Sequence, residues 1–373
     1  MNEREAHIVL NIIEDIGPVG VRALISKLGS PQAILEAGED QLLNVKGIGP
    51  TAAQNIVQQR RIIRPDDELK RAAKLGAEIL TPVDSGYPKC LLQIHDPPLA
   101  IYVLGKLLPA DQRAIGAVGS RHTTFYGRET AESLAYQLAH AGFTVVSGLA
   151  RGIDTAAHLG ALKAKGRTIA VLGGGLDCVY PSENRQLAKD ISKSGAVLSE
   201  FPIGRRPDKT TFPIRNRIIS GLSMGVVVVE AGLASGALIT ANQALDQGRS
   251  VFAVPGRIDS PLSKGTHMLI KNGARLVESV DDILQEFEFL IPRPNQATPA
   301  SESAMPLPPL GEDEKKVVQC LSDGEKNADE IIRETAIGAN RLGSVLLSLE
   351  MKRLISLQPG RIIHLVRKTD PGK

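Results

Sequence analysis

Tryptophan is absent and aromatic residues make up only 3% of the 373-residue chain, so stacking on a flat ligand falls to Phe, Tyr and His. Cysteine is nearly absent too. Cys90, Cys178 and Cys320 are odd in number and far apart, which fits neither a disulfide framework nor the paired spacing of a zinc site. A reducing cytoplasm is the expected compartment. No apolar run is long enough to cross a bilayer, and Glu3, Arg4 and Glu5 do not open a signal peptide, so no membrane partner is expected. Charge of one sign is scarce as well: a net +3 is too small to imply a polyanion by itself, and the case for nucleic acid rests on where the bases sit. The Gly-x-x-x-x-Gly-Lys-Ser/Thr run of a P-loop is missing, as are the spaced glycines of a dinucleotide fingerprint. The seven histidines are scattered, and only His122 is placed near a ligand. Neither a metal nor a cofactor is expected.

What the chain does contain begins with a helical pattern from Arg4 to about Ala73. It is punctuated by Ile16-Gly17-Pro18-Val19-Gly20 and Val45-Lys46-Gly47-Ile48-Gly49-Pro50, two similar hairpins between helices. The second resembles the helix-hairpin-helix element of DNA-associated proteins, in which glycines let backbone N–H groups approach a phosphate. A small helical domain whose glycines only permit tight turns is the alternative. Next come short apolar runs, Glu78–Leu80 and Ile101–Gly105 among them, broken by prolines. They suggest a lead-in segment laid over a sheet.

From Ala114 to about Val277 strands and helices alternate. Strands are predicted at Ala114–Val118, Thr144–Ser147, Thr168–Leu172, Ala196–Ser199, Gly225–Val229 and Ser250–Val254, as in an open parallel α/β sheet. The four valines 226–229 are apolar on both faces, which suits a central strand. Almost every strand ends in glycine or another small residue, and in a doubly wound sheet those carboxyl ends share one crevice. The first of them, Gly119-Ser120-Arg121 with a capping serine, precedes a helix predicted from Tyr126 to Ala141. Such a turn presents N–H groups to a phosphate, Arg121 adds charge, and Thr123 and Thr124 add hydroxyl donors.

The segment Gly204–Arg217 carries Arg205, Arg206, Lys209, Arg215 and Arg217 against the single acid Asp208, with Phe212 among them. Cations for phosphates and ring faces for unpaired bases are what single-stranded nucleic acid needs. Asp154 and Glu230 are the carboxylates nearest the crevice, and Asp154 is expected to pair with Arg151 or cap a helix. Ser120 has no base or acid partner in the pattern, so it reads as a phosphate donor and not a nucleophile. Residues 291–310 have the Pro, Ser and Ala content of a linker. Three helical patterns follow, Glu312–Leu321, Ala328–Thr335 and Ala339–Arg353, then a hairpin turning at Gln358-Pro359-Gly360. That is a winged-helix outline, with Asn340, Arg341 and Lys352 as a thin basic inventory.

Several stretches closely resemble the DprA/Smf family: Ala117-Val118-Gly119-Ser120-Arg121, Ser147 to Asp154, Tyr180-Pro181-Ser182-Glu183-Asn184, Phe212 to Gly221 and Pro255-Gly256. The resemblance implies an α/β fold with an extended Rossmann-like parallel sheet core, an N-terminal helical helix-hairpin-helix/SAM-like domain and a C-terminal winged-helix domain. The expected boundaries are 1–75, 76–290, a linker at 291–310, and 311–368. It further implies a non-catalytic protein of natural transformation that binds and protects single-stranded DNA, forms a homodimer and helps load the RecA recombinase. Carried over by position, Gly119, Ser120 and Arg121 match the phosphate-binding turn. Lys209 and Phe212 match a cation and a ring facing the DNA, with Asn216 beside them, and Ser147, Gly148 and Arg151 match a second crevice-lining turn. The rival reading is an enzyme, since Glu230 to Thr240 is similar to the phosphate-binding segment of nucleotide phosphoribohydrolases (lysine-decarboxylase-like). Here, however, the tight Pro-Gly-Gly-x-Gly-Thr turn and the acids after it are missing. A third reading is a nucleotide-binding regulator.

Overall fold

The computed structural model describes residues 1–287, 311–324, 326–351, 354–358 and 362–365; the expected linker at 291–310 lies outside them. Two compact units, Met1–Ile291 and Pro292–Lys373, divide the chain. The first opens with six helices: α1 (Glu3–Ile12), α2 (Pro18–Leu28), α3 (Pro31–Glu36), α4 (Glu39–Leu43), α5 (Pro50–Gln59) and α6 (Pro65–Lys74). Both glycine hairpins form as the sequence suggested. Gly17 and Gly49 are the N-caps of α2 and α5, and the proline after each takes the first helical position, where its missing N–H costs nothing. This helical region shares a core with the sheet that follows, because Ile8 packs with Ile79, Tyr102 and Val197. Arg4 Nη2 also donates to the Ile79 carbonyl at 2.8 Å and Asn11 Nδ2 to that of Glu200 at 2.9 Å.

Nine strands form the sheet: β1 (Ala77–Leu80), β2 (Ile101–Gly105), β3 (Ala114–Val118), β4 (Thr144–Ser147), β5 (Thr168–Val171), β6 (Ala196–Ser199), β7 (Gly225–Val228), β8 (Ser250–Ala253) and β9 (Arg275–Leu276). Their spatial order is β1-β2-β6-β5-β4-β3-β7-β8-β9. From β6 to β9 every pair is parallel. The expected lead-in segment is a correction: its two apolar runs are β1 and β2, which extend the sheet by antiparallel pairing, Tyr102 opposite Ser199, and do not lie over it. Ile101, Tyr102 and Val103 are buried, and a strand lacking a partner there would leave buried backbone groups unsatisfied.

Helices cover both faces: α7 (Lys89–Leu92), α8 (Phe125–His140), α9 (Ile153–Lys163), α10 (Arg185–Ser194), α11 (Thr211–Leu222), α12 (Gly236–Asp246), α13 (Lys264–Lys271) and α14 (Asp281–Leu284). Strand alternation divides the side chains between two cores. Ile115, Ala117, Val227 and Val229 pack with Leu134, Leu138 and Ala157 from α8 and α9. Val118, Val226 and Val228 pack with Ile218, Leu222 and Leu238 from α11 and α12. The four-valine run is therefore buried two and two, each side chain contributing about 1.5–3 kcal/mol over an exposed one. The chain winds from β3 outward to β6, then returns to the other side of β3 to place β7. The topological switch point, where such sheets open a crevice, lies between the carboxyl ends of β3 and β7.

The second unit holds α15 (Glu312–Cys320), α16 (Ala328–Thr335) and α17 (Ala339–Met351) with a three-stranded sheet, β10 (Lys326–Asn327), β11 (Ile355–Gln358) and β12 (Ile362–Leu365), in the order β10-β12-β11. This is the winged-helix outline with one more short strand than expected. Arg341 pairs with Asp313 at 2.9 Å. Lys352, the Asn340 side chain and Pro359-Gly360 of the expected turn lie outside what is described. Cys90, Cys178 and Cys320 form no disulfide with one another. Among the described residues no helix is long and apolar enough to cross a membrane, and no cluster of His, Cys, Asp or Glu is arranged to hold a metal ion.

Candidate functional site

A cavity of about 530 Å³ opens at the switch point. Gly119, Ser120 and Arg121 line it from the end of β3, Lys209, Phe212 and Asn216 from the start of α11 and the loop before it, and Ser235 and Gly236 from the start of α12. Six of the nine residues singled out in the sequence thus share one wall-to-wall space. The Arg121 guanidinium carbon sits 4.8 Å from the centre of the Phe212 ring, within cation–π range. On the same ring Tyr180 approaches with centroids 6.0 Å apart and planes at 46°. Lys209 and Arg121 are exposed, and no carboxylate pairs with either among the described residues. Asn216 is half-buried, its Nδ2 donating to the Gly236 carbonyl at 3.4 Å.

The first glycine turn works differently from the expectation. Ser120 does not cap α8; Thr124 does, its hydroxyl oxygen accepting from Gly127 N at 3.0 Å. Ser120 N donates to the Glu230 carbonyl at 2.8 Å, and its hydroxyl accepts from His122 N at 3.2 Å and donates to His122 O at 3.0 Å. These bonds fold the turn back on itself and aim Arg121 outward. Thr123 and Thr124 are not free donors either. Glu230 accepts from both hydroxyls at 2.6 Å and from Thr124 N at 2.9 Å. The anion at this helix N-terminus is therefore a buried side chain of the protein itself. A methyl group on Gly127 would overlap that carboxylate, so glycine is what lets it in. Besides the start of α11, the N-terminus of α12 faces the cavity, where Ser235 Oγ accepts from Ala237 N at 3.3 Å.

The second turn is largely structural. Ser147 is fully buried and its hydroxyl donates to the Ala117 carbonyl at 2.6 Å, so it does not reach the crevice. Gly148 is buried as well. Its N–H donates to Asp154 Oδ2 at 3.1 Å, and a Cβ there would collide with the Arg215 guanidinium. Asp154 neither pairs with Arg151 nor caps a helix: it accepts from Gly148 N and Ala150 N (3.3 Å) and faces the charge of Arg215. Burial pushes Asp154 upward against those attractions and pulls Arg215 down to about 10, leaving the guanidinium charged at neutral pH. Arg151 does reach solvent, where it is held by Glu183 through Nε at 2.6 Å and Nη2 at 2.8 Å.

The basic run of α11 divides in the same way. Arg215 is 3% exposed and donates to the Val171 carbonyl. Arg217 is 3% exposed and bridges Glu200 (2.9 and 2.6 Å) to Asp96 (2.7 Å). Burial pulls Arg217 down, but Glu200 and Asp96 more than reverse it. Arg205 pairs with Asp208 at 2.8 Å, and Asp208 Oδ1 in turn accepts from the N–H groups of Thr210 (2.8 Å) and Thr211 (3.2 Å) at the start of α11. Two further cavities continue from Arg121. One of about 130 Å³ reaches Arg151, Tyr180 and Phe212, and one of about 460 Å³ runs along α8 and α9. The Ser235-Gly236 start of α12 is one of the glycine-ended turns expected to line the crevice and Tyr180 belongs to a stretch resembling the family, but neither was given a ligand role, and Arg128 was not singled out in the sequence. Ser-Gly after a buried strand was the available signal for the first, and an aromatic before Pro181 for the second. Arg128 had none beyond its place one turn into α8.

A family model described as DNA recombination-mediator protein A matches residues 78–288. The DprA winged helix domain matches residues 301–361 and a SAM-like helix-hairpin-helix tandem residues 9–61. Protein Smf of Synechocystis is 34% identical over 378 residues, covering 93% of this chain and 95% of that protein. DNA processing protein DprA of Bacillus subtilis is 48% identical over 201 residues, 54% of this chain and 68% of the relative. Among solved structures, DprA from Streptococcus pneumoniae matches with a TM-score of 0.67 at 35% identity, covering 78% of this chain and 99% of its own. The structure of DNA processing protein A from Helicobacter pylori, solved for its single-stranded DNA binding mode, matches with a TM-score of 0.52 at 29% identity, covering 58% and 97%.

Proposed function

The chain belongs to the DNA recombination-mediator protein A family, the DprA/Smf proteins, and from that premise we propose that its switch-point crevice binds single-stranded DNA. The observation that carries the reading is the convergence of Arg121, Lys209 and Phe212, distant in sequence, on one cavity, with the guanidinium against the ring. Arg121 and Lys209 neutralise phosphates, the start of α12 adds its positive end, and the Phe212–Tyr180 pair offers ring faces to unpaired bases. No group in this set matches a base edge, so sequence preference is weak. Duplex DNA, whose bases are stacked away, binds less well. Gly119, Ser120 and Asn216 shape the cavity; Gly148 and Ser147 support it from behind.

Family membership also supports a homodimer that protects incoming strands in the cytoplasm and helps load RecA during natural transformation. The phosphoribohydrolase alternative is not favoured: Glu230 is buried and committed to the hydroxyls of Thr123 and Thr124 and the Thr124 N–H, and the tight Pro-Gly-Gly-x-Gly-Thr turn with its following acids is missing. The deciding experiment is a competition gel shift with single-stranded, double-stranded and mononucleotide ligands across a salt series. Preference for single strands is expected, with log K falling by about 0.7 per phosphate neutralised for each tenfold rise in salt. Equal binding of mononucleotides and strands of any length would overturn the assignment in favour of a nucleotide-binding regulator. Steady release of base from nucleoside monophosphates would favour the enzyme.

A further inference from the structure

We propose that the groove along α8 and the start of α9 is a second strand-binding subsite, taking nucleotides that overrun the crevice, with the Arg151–Glu183 ion pair as its latch. This rests on the single-strand reading of the crevice and extends it. The groove holds about 460 Å³, comparable to the crevice, and its floor and walls include Arg121, His122, Arg128, Arg151 and Thr155. Arg121 is common to all three cavities, and the small one between Arg121, Arg151 and Tyr180 shares further lining residues with each of the others. A phosphate held by Arg121 therefore borders both larger spaces.

The charges in the groove are arranged for an anion. Glu132 is tied to Lys163. Arg128 is exposed, and no carboxylate pairs with it among the described residues. Glu183 occupies Arg151 with two parallel bonds, the geometry a phosphate also satisfies. Both partners are about half exposed, at 52% and 53%, and an exposed pair of this kind is held weakly enough for a phosphate to displace the carboxylate. Arg128 is a standing contact and Arg151 one released on binding.

The test uses the full chain with labelled oligothymidylates of about 4 and about 12 nucleotides, spanning the usual range of single-strand site sizes. Arg128→Ala is expected to bind the short strand as the parent does. On the long strand it loses about three- to tenfold in affinity, with a salt slope shallower by about 0.7. Glu183→Gln, which frees Arg151, strengthens long-strand binding about two- to fivefold. Parent-like long-strand binding by Arg128→Ala, or an equal loss on both lengths, overturns the second subsite. Unchanged or weaker long-strand binding by Glu183→Gln overturns the latch. Arg121→Ala separates this from the underlying reading: short-strand binding equal to the parent's would remove the crevice itself.

Discussion

The inner wall and the rim of the crevice are built from the same residue type and behave as different materials. Arg215, on the inner wall, and Arg217, two residues further along α11 and outside the cavity lining, are each 3% exposed and held by backbone carbonyls or by Glu200 and Asp96. Arg121 and Lys209, on the rim, are exposed and unpaired among the described residues. A buried guanidinium must be matched or it destabilises the fold, whereas an exposed one is available to a ligand at almost no structural cost. Counting positive residues along Gly204–Arg217 therefore overstates what a polyanion meets, because Arg215 and Arg217 are buried against partners and Arg205 is paired with Asp208.

Substitutions at buried and at exposed cations should separate cleanly, and the largest effect belongs to the buried ones. Arg217→Ala leaves Glu200 buried without its partner and is expected to lower unfolding free energy by about 3–5 kcal/mol in urea titration. Stability equal to the parent's would erase the distinction between buried and exposed cations. Phe212→Ala, on the rim, is expected to leave the urea midpoint alone and to weaken single-strand binding by about 1–3 kcal/mol with an unchanged salt slope, since a ring carries no charge. Arg121→Ala should do the converse in salt: about a tenfold affinity loss, near 1.4 kcal/mol, with a slope shallower by about 0.7. A stability loss there comparable to that of Arg217→Ala would class Arg121 with the buried cations.

The last effect is a pH dependence among the buried groups. Thr168 Oγ1 donates to the Val145 carbonyl, so His158 Nδ1 carries the proton that bonds Thr168, and its Nε2 is buried without a partner. Burial first, and the Arg215 charge second, push His158 down to about 3 from 6.5. The folded protein keeps the ring neutral where the unfolded chain protonates it. The contribution to stability is thus fully present above pH 6.5 and is lost progressively as pH falls from there toward about 3. His158→Asn, which retains a donor for Thr168, is expected to shrink the difference between urea midpoints at pH 7 and pH 4.5. A difference as large as the parent's would assign the acid sensitivity elsewhere.

Much of the architecture was legible in advance. The strands β3, β4 and β6 begin and end where the apolar runs do, and the glycine-Pro hairpins cap α2 and α5 as their spacing suggested. Most of the readings that failed have one cause in common. Ser120 looked like a cap, Thr123 and Thr124 like phosphate donors, Ser147 like a crevice residue and Asp154 like a partner of Arg151. For Thr123, Thr124, Ser147 and Arg151 the true partner lies on another element: Glu230 is more than a hundred residues from the threonines, and Glu183 is 32 from Arg151, whereas Ser120 and Asp154 close on His122, Gly148 and Ala150 within their own turns.

By itself the sequence determined the alternation of strands and helices, the glycine ends that open a crevice, and the kinds of side chain gathered near it, because backbone preference and hydrophobic period act over a few residues. Which of those side chains faces a ligand was decided only by the tertiary structure. Ion pairs and buried hydrogen bonds join positions such as Arg217 and Asp96, 121 residues apart, and only the folded sheet brings them within reach.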